Sequence, residues 1–230
     1  MQRVIVVFII IAIMFLSVPV SALELRGEIW RFTNEEIPAE DSLVQMQRAE
    51  LSLIRVGPVR LISDFEFAGN RQHVGYLFNL LRNELDYDDF GDDIYVIGGL
   101  TSRARVDWPL LINNLSVIGS AGYRVSGNLY KADGDSTVTT GLYHGLTYAG
   151  GLGMSILPGL RLSAIYEIGP NLSGMHEVTD TATWSSLNLG LEYRVPFLSA
   201  RAGLRFQELA GEDVTGFKLS GPYVGAGIHF

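Results

Sequence analysis

The chain has 230 residues, a formal charge of −8, a charged fraction of 18% and no cysteine. The missing cysteines exclude disulfides and thiolate metal sites, and an acidic chain without a basic stripe excludes nucleic acid as a partner. The length fits one large β domain or two small domains, and four scattered histidines leave little for zinc, so no metal or cofactor is expected.

Residues 1–22, MQRVIVVFIIIAIMFLSVPVSA, place Arg3 before an apolar run from Val4 to Leu16 and close on Val20-Ser21-Ala22. A basic start, a short apolar stretch and a small-x-small end mark a secretory signal peptide. The rival is an uncleaved anchor, but the run is short for a helix that needs about 20 residues to span a bilayer. The remaining domain is 23–230.

Beyond Ala22 the sequence alternates with a period of two, the mark of strands with one apolar face. In 94–108, Val96, Leu100, Ala104, Val106 and Trp108 share a face opposite Thr101, Arg103, Arg105 and Asp107. In 115–130, Val117, Ala121, Tyr123 and Val125 oppose Ser116, Ser120, Arg124 and Ser126. The same holds for Leu160–Ile168 (Arg161 and Glu167 polar), Leu187–Val195 (Asn188, Glu192 and Arg194 polar) and Leu198–Gln207 (Arg201 and Arg205 polar). The last residues, GPYVGAGIHF, place Val224, Ala226, Ile228 and Phe230 on one face and Tyr223, Gly225, Gly227 and His229 on the other.

The predicted strands are 24–33, 48–56, 59–67, 93–107, 115–130, 138–156, 160–168, 182–195, 198–208 and 217–230. Tight Pro- or Gly-bearing links alternate with long polar ones, the pattern of a membrane barrel with short turns at one end and long loops at the other. The fold class is therefore all-β: a closed antiparallel transmembrane β-barrel of about ten strands. The first two strands are the weakest, because Trp30 and Phe32 fall on the face of Arg26 and Glu28, and 43–54 could be helical in isolation. An eight-stranded barrel with an N-terminal periplasmic segment is the alternative. Residues 75–85 read as a short helix within a long loop.

Which face lies outside is decided by composition. The polar face carries Gly99, Gly122, Gly141, Gly145, Gly190, Gly203, Gly225 and Gly227 and almost no lysine. Glycine weakens an exposed strand but makes room in a narrow lumen for Arg and Tyr. Aromatics of the apolar face cluster near strand ends, Trp108, Tyr193, Phe197 and Phe230 at the short turns and Phe65, Phe67, Trp184 and Phe206 towards the loops. These suit two interfacial girdles.

At this point a resemblance enters. Tyr223, Gly225, Ile228 and Phe230 in YVGAGIHF resemble the C-terminal assembly signal of bacterial outer-membrane β-barrel proteins, which ends on a terminal hydrophobic residue, usually Phe. The resemblance implies a Gram-negative outer-membrane location, recognition of the last strand by the barrel assembly machinery, and contact with outer-membrane lipid and lipopolysaccharide.

The lumen then receives Arg103, Arg105, Arg124, Arg161, Glu167, Glu192, Arg194, Arg201 and Arg205, with Asp64, Glu66 and Tyr143. Buried charges must be paired or hydrated. Arg105, Arg161, Arg194 and Arg201 suggest a basic ring at the short-turn end, and Glu192 can join it. Two roles fit: a small porin-like passive pore with anion preference, or a salt-bridged plug in a structural barrel. A rim-active hydrolase on lipid or peptide is a third reading, resting on Ser173, His176, Glu177 and Asp180; His144 falls on the apolar face. A soluble periplasmic ligand-binding barrel is a fourth. The acidic stretch 84–93 resembles a calcium loop only loosely, since Phe90 stands where an oxygen ligand belongs.

Overall fold

The computed structural model describes residues 23–34, 43–56, 58–69, 94–110, 114–131, 139–175, 181–211 and 216–230. The expected signal peptide, the helix expected at 75–85, the acidic stretch 84–93 and His176, Glu177 and Asp180 lie outside them. Ten strands follow in chain order: β1 (Glu24–Asn34), β2 (Leu43–Val56), β3 (Val59–Ala68), β4 (Ile94–Pro109) and β5 (Leu115–Lys131), then β6 (Thr139–Leu157), β7 (Leu160–Gly174), β8 (Thr181–Arg194), β9 (Leu198–Ala210) and β10 (Phe217–His229).

Each strand pairs antiparallel with its sequence neighbour, and β1 closes on β10 through a register that runs from Glu24↔His229 to Asn34↔Leu219. The Phe230 amide donates to the Leu23 carbonyl at 2.9 Å, so the two described chain ends complete the seam. Closure leaves no unpaired edge, which lipid would not tolerate. It also settles the strand number: 43–56 is β2, and the eight-stranded alternative falls. The helical reading of that segment fails because Gln47, Ala49 and Leu51 pair with both Ile29, Gly27 and Leu25 of β1 and Phe67, Phe65 and Ser63 of β3; two flanking ladders override local propensity.

Four short turns gather at one end. The tightest, Leu157-Pro158-Gly159-Leu160, has Gly159 at φ +80°, the left-handed position that follows Pro in a type II turn and suits glycine. Asn114, at φ 57°, is a residue type that tolerates that region. Its carbonyl accepts from the Ser155 amide at 2.9 Å, tying the β4–β5 turn to β6. The longer connections all leave from the other end.

Polarity is inverted relative to a soluble barrel. Leu25, Ile29, Val117, Leu152, Leu189, Leu204, Val224 and Ile228 are exposed, whereas Glu28, Asp64, Glu66, Arg124 and Arg205 are all at most 4% exposed. A belt of exposed Leu, Val and Ile running round a closed sheet has no soluble use and matches a hydrocarbon surround. The soluble ligand-binding alternative is thereby overturned. The lumen glycines act as spacers: a Cβ at Gly99 would lie 2.6 Å from Arg124 Nη2, and one at Gly225 would lie 2.7 Å from Glu28 Cγ.

The girdle expected at the long-loop end forms only in part. Phe65 and Phe206 are exposed, but Trp184 is 2% exposed and points inward, on the same side of β8 as Asn188 and Glu192. Phe67 is also buried rather than exposed.

Candidate functional site: a charged lumen capped by an apolar layer

Ten arginines and eight carboxylates among the described residues meet inside the barrel, and no lysine takes part. Arginine suits such a site, because its planar fork holds several carboxylates at once and keeps its charge when buried.

The centre of the network is Arg48 on β2, 7% exposed in its side chain. It lies 3.2 Å from Asp64, 3.5 Å from Glu66, 3.7 Å from Glu28 and 3.9 Å from Glu50. Around it, Arg103 bridges Asp64 and Glu167 at 2.9 Å each, joining β3 and β4 to β7 across the lumen. Arg205 donates to Glu28 at 2.7 Å, and Arg201 pairs with Glu28 and, at 3.5 Å, with Glu50. Arg124 donates to Glu66 and to Thr101, each at 3.0 Å.

Nearer the short turns the expected basic ring is not what forms. Arg201 sits deeper, on Glu28, and carboxylates alternate with the remaining guanidiniums. Glu24 accepts from Arg26 at 2.7 Å and Arg194 at 2.6 Å. Glu192 accepts from Arg26 at 3.1 Å. Asp107 takes Arg60, Arg105 and Arg161. The ring picture missed Glu24, because strand β1 looked too weak to weigh, and missed Asp107 as a partner although it shares a face with Arg105.

Towards the long loops the lumen changes character. Trp30, Phe32, Met46, Trp184, Leu209, Phe217 and Leu219 are all buried in one apolar cluster with Tyr143 and Tyr223. The boundary is made by stacking: Arg124 lies 4.1 Å above Trp184, and Arg205 lies 4.7 Å from Tyr223 and 5.6 Å from Trp30. Desolvated cation–π contacts of this kind contribute on the order of 2 kcal/mol each. Trp30 also donates its indole N–H to the Gly221 carbonyl at 3.1 Å, which fixes the ring across the lumen.

A cavity of about 570 Å³ runs from the turns alongside the network, lined by Leu157, Pro158 and Gly159 at the turn end, by Arg48 and Glu66 midway and by Trp184, Gln207 and Tyr223 at the inner end. One wall is charged, with Arg26, Arg60, Arg103 and Arg105. Ile118, Ser120 and Ala149 form a small neutral stretch on β5 and β6, while β7 and β8 add Arg161, Glu167, Glu192 and Arg194 beside Ser163 and Asn188. Of the hydrolase candidates, Ser173 is exposed at the end of β7, and the nitrogen Nδ1 of His144 meets the Tyr123 hydroxyl on the outer face. No catalytic grouping forms among the described residues.

A closed antiparallel meander, apolar without and charged within, defines a transmembrane β-barrel fold. No protein-family model matches the chain, and no curated protein matches it. Among solved structures it is similar to Neisserial surface protein A (10% identity, TM-score 0.38, covering 90% of this chain and 94% of that one). It is also similar to Ail, the attachment invasion locus protein of Yersinia pestis (11%, 0.39, 91% and 97%), and to the N-terminal barrel domain of OprF from Pseudomonas aeruginosa (12%, 0.37, 90% and 97%).

Proposed function

We propose that this protein is a structural, non-conducting barrel of the Gram-negative outer membrane. It is exported behind residues 1–22 and inserted by the barrel assembly machinery through Tyr223, Gly225, Ile228 and Phe230. Its outer face contacts outer-membrane lipid and lipopolysaccharide. Support for the assembly role comes from β10, where Ile228 and Phe230 face outward while Tyr223 and Gly227 face inward, so the motif lies on a pairing strand beside the seam.

The observation that carries the closed reading over the porin-like one is the apolar layer loopward of the charged network. An ion that followed the cavity past the Arg48 network would then meet the uncharged side chains of the Trp30, Phe32, Met46 and Trp184 layer. Hydrophobic constrictions block conduction by dewetting, and ions cross a pore only where binding sites are both available and weak. Ten strands enclose a lumen between the side-chain-filled eight-stranded case and the open porins.

The test is conductance. Purified folded barrel added to a planar bilayer is expected to insert without steady unitary current steps. Reproducible, long-lived open steps from the unmodified protein would sink the closed reading and restore the passive pore.

A further inference from the structure

The lumen charges do not balance evenly. Seven of the arginines (26, 48, 103, 124, 194, 201 and 205) share seven carboxylates, and each carboxylate there has at least one of these partners. The three others converge on a single group, Asp107. Arg105 Nε reaches its Oδ1 at 2.9 Å, Arg161 Nη1 reaches its Oδ2 at 3.3 Å, and Arg60 Nη2 also contacts Oδ2. Arg60 has one further carboxylate, Glu24, at 3.9 Å. Arg161 is held in place by donating to the Ser116 hydroxyl at 2.7 Å. Among the described residues neither Arg105 nor Arg161 has a second carboxylate. Among the described residues the surplus of two positive charges therefore sits in one corner, formed by the starts of β3 and β7 and the end of β4.

That corner faces the 570 Å³ cavity, which Arg60, Arg105 and Arg161 all line. The volume is in the range of small-molecule pockets. Beside Arg105 in the register stands Ser120, and beyond it Ala149, so the approach from β5 and β6 carries no competing carboxylate. Of the carboxylates on that side, Glu167 is engaged by Arg103, and Glu192, which faces Arg161 in the β7–β8 register, is engaged by Arg26 and Arg194. Partly buried guanidiniums in surplus attract a counter-anion, and forked donors in a cluster favour the geometry of phosphate.

We propose that Arg60, Arg105 and Arg161 form a binding site for a small soluble phosphate dianion, inorganic or a compact monoester, entering through the short-turn mouth. Each strand at this corner is paired with both neighbours in the closed sheet, so an acyl chain cannot follow its headgroup through the wall, and the source is soluble phosphate rather than lipid. Because the site opens at the turn end, it does not depend on whether the barrel conducts.

The test uses the full mature barrel in a phosphate-free neutral detergent and buffer. Titration with inorganic phosphate and with glycerol phosphate is followed by the phosphorus resonance, and each variant is confirmed as folded by its mobility shift on heating. Saturable binding of both is expected, at a Kd of about 1 mM or below. R105Q and R161Q are each expected to weaken it by about tenfold or more, the loss of a charge-assisted contact. D107N is expected to tighten it, because the competing carboxylate is gone. No saturable binding, or equal affinity in R105Q and the parent, would overturn the site. So would a D107N barrel that binds more weakly than the parent, and so would binding of short-chain phosphatidic acid micelles in place of soluble phosphate.

Discussion

Replacing Arg48 by methionine is expected to destabilise the folded barrel by about 3 to 5 kcal/mol, the usual loss when one partner of a buried ion pair is removed. Four carboxylates from three strands lie within 3.9 Å of its guanidinium. Without it Glu28, Glu50, Asp64 and Glu66 remain together inside a closed lumen with one cation fewer. Arg194→Met is the control. That side chain also pairs with two carboxylates, Glu24 and Glu192, but is 40% exposed at the mouth. Exposed pairs contribute about 1 kcal/mol or less, so its loss is expected to be small. R48K is expected to recover little, because a single ammonium cannot spread over four acceptors as a guanidinium does. Urea titration of the barrel in lipid vesicles, followed by tryptophan fluorescence, measures all three. Equal midpoints for R48M and R194M would mean that the network does not hold the barrel together.

The second large effect concerns the outer face. Leu189 is exposed on β8 and pairs across to Leu204 of β9. It lies five residues above Arg194. At roughly 3.3 Å per residue and the usual strand tilt, that is about 13 Å from the turn end, near the middle of an apolar band about 25 Å tall. Leu189→Arg is expected to destabilise the membrane-inserted protein by about 2 to 4 kcal/mol. Its chain neighbour Asn188 faces the cavity and accepts from the Tyr223 hydroxyl at 2.9 Å. Asn188→Asp keeps that acceptor and adds its charge in the hydrated lumen, opposite Arg205 in the β8–β9 register, so it is expected to change stability by no more than about 1 kcal/mol. Refolding yield into vesicles and urea midpoints for the two variants check the contrast. Similar losses in both would mean that the two faces of β8 are not distinguished by lipid.

Much of this architecture was legible because a β-strand exposes its environment through parity. Once Leu189 and Leu191 alternate with Asn188 and Glu192, only the choice of outside remains, and the scarcity of lysine and the inward glycines decide it. Gly99 beside Arg124 and Gly225 beside Glu28 show why: each leaves the volume a long side chain needs. Parity fails where a face changes character along its length. Trp184 was placed outside because aromatics near strand ends usually mark an interface, yet it stands in the lumen under Arg124. Trp30 and Phe32 made β1 look irregular, when they belong to an apolar layer that shares the inner face with Arg26 and Glu28.

Pairing was less legible than position. Arg103 and Glu167 lie three strands apart, and only closure sets β4 across from β7. The irregularities between Ser52 and Ile54, His144 and Tyr148, and Gly169 and Leu172 shift the register without any obvious Gly-Asn or Pro signal in β2. Arg48 and Glu50 went unweighed because the surrounding sequence, LVQMQRAELSLI, carries a helical as well as a strand pattern. Three of the eight carboxylate partners of the expected lumen arginines, Glu24, Glu28 and Glu50, thus lie in the two strands whose local sequence is the least decisive.

The inside-out polarity is tested most directly by spin labels on β8, since the natural chain has no cysteine to interfere. Nitroxides placed singly at Ser186, Asn188, Leu189 and Leu191 in the vesicle-inserted protein would be read for collision with oxygen, which concentrates in lipid, and with a water-soluble nickel complex. High oxygen accessibility at Leu189 and Leu191, with low values at Ser186 and Asn188, is expected. The opposite phase, or four equal values, would contradict a barrel that keeps its charges within and its leucines in the membrane.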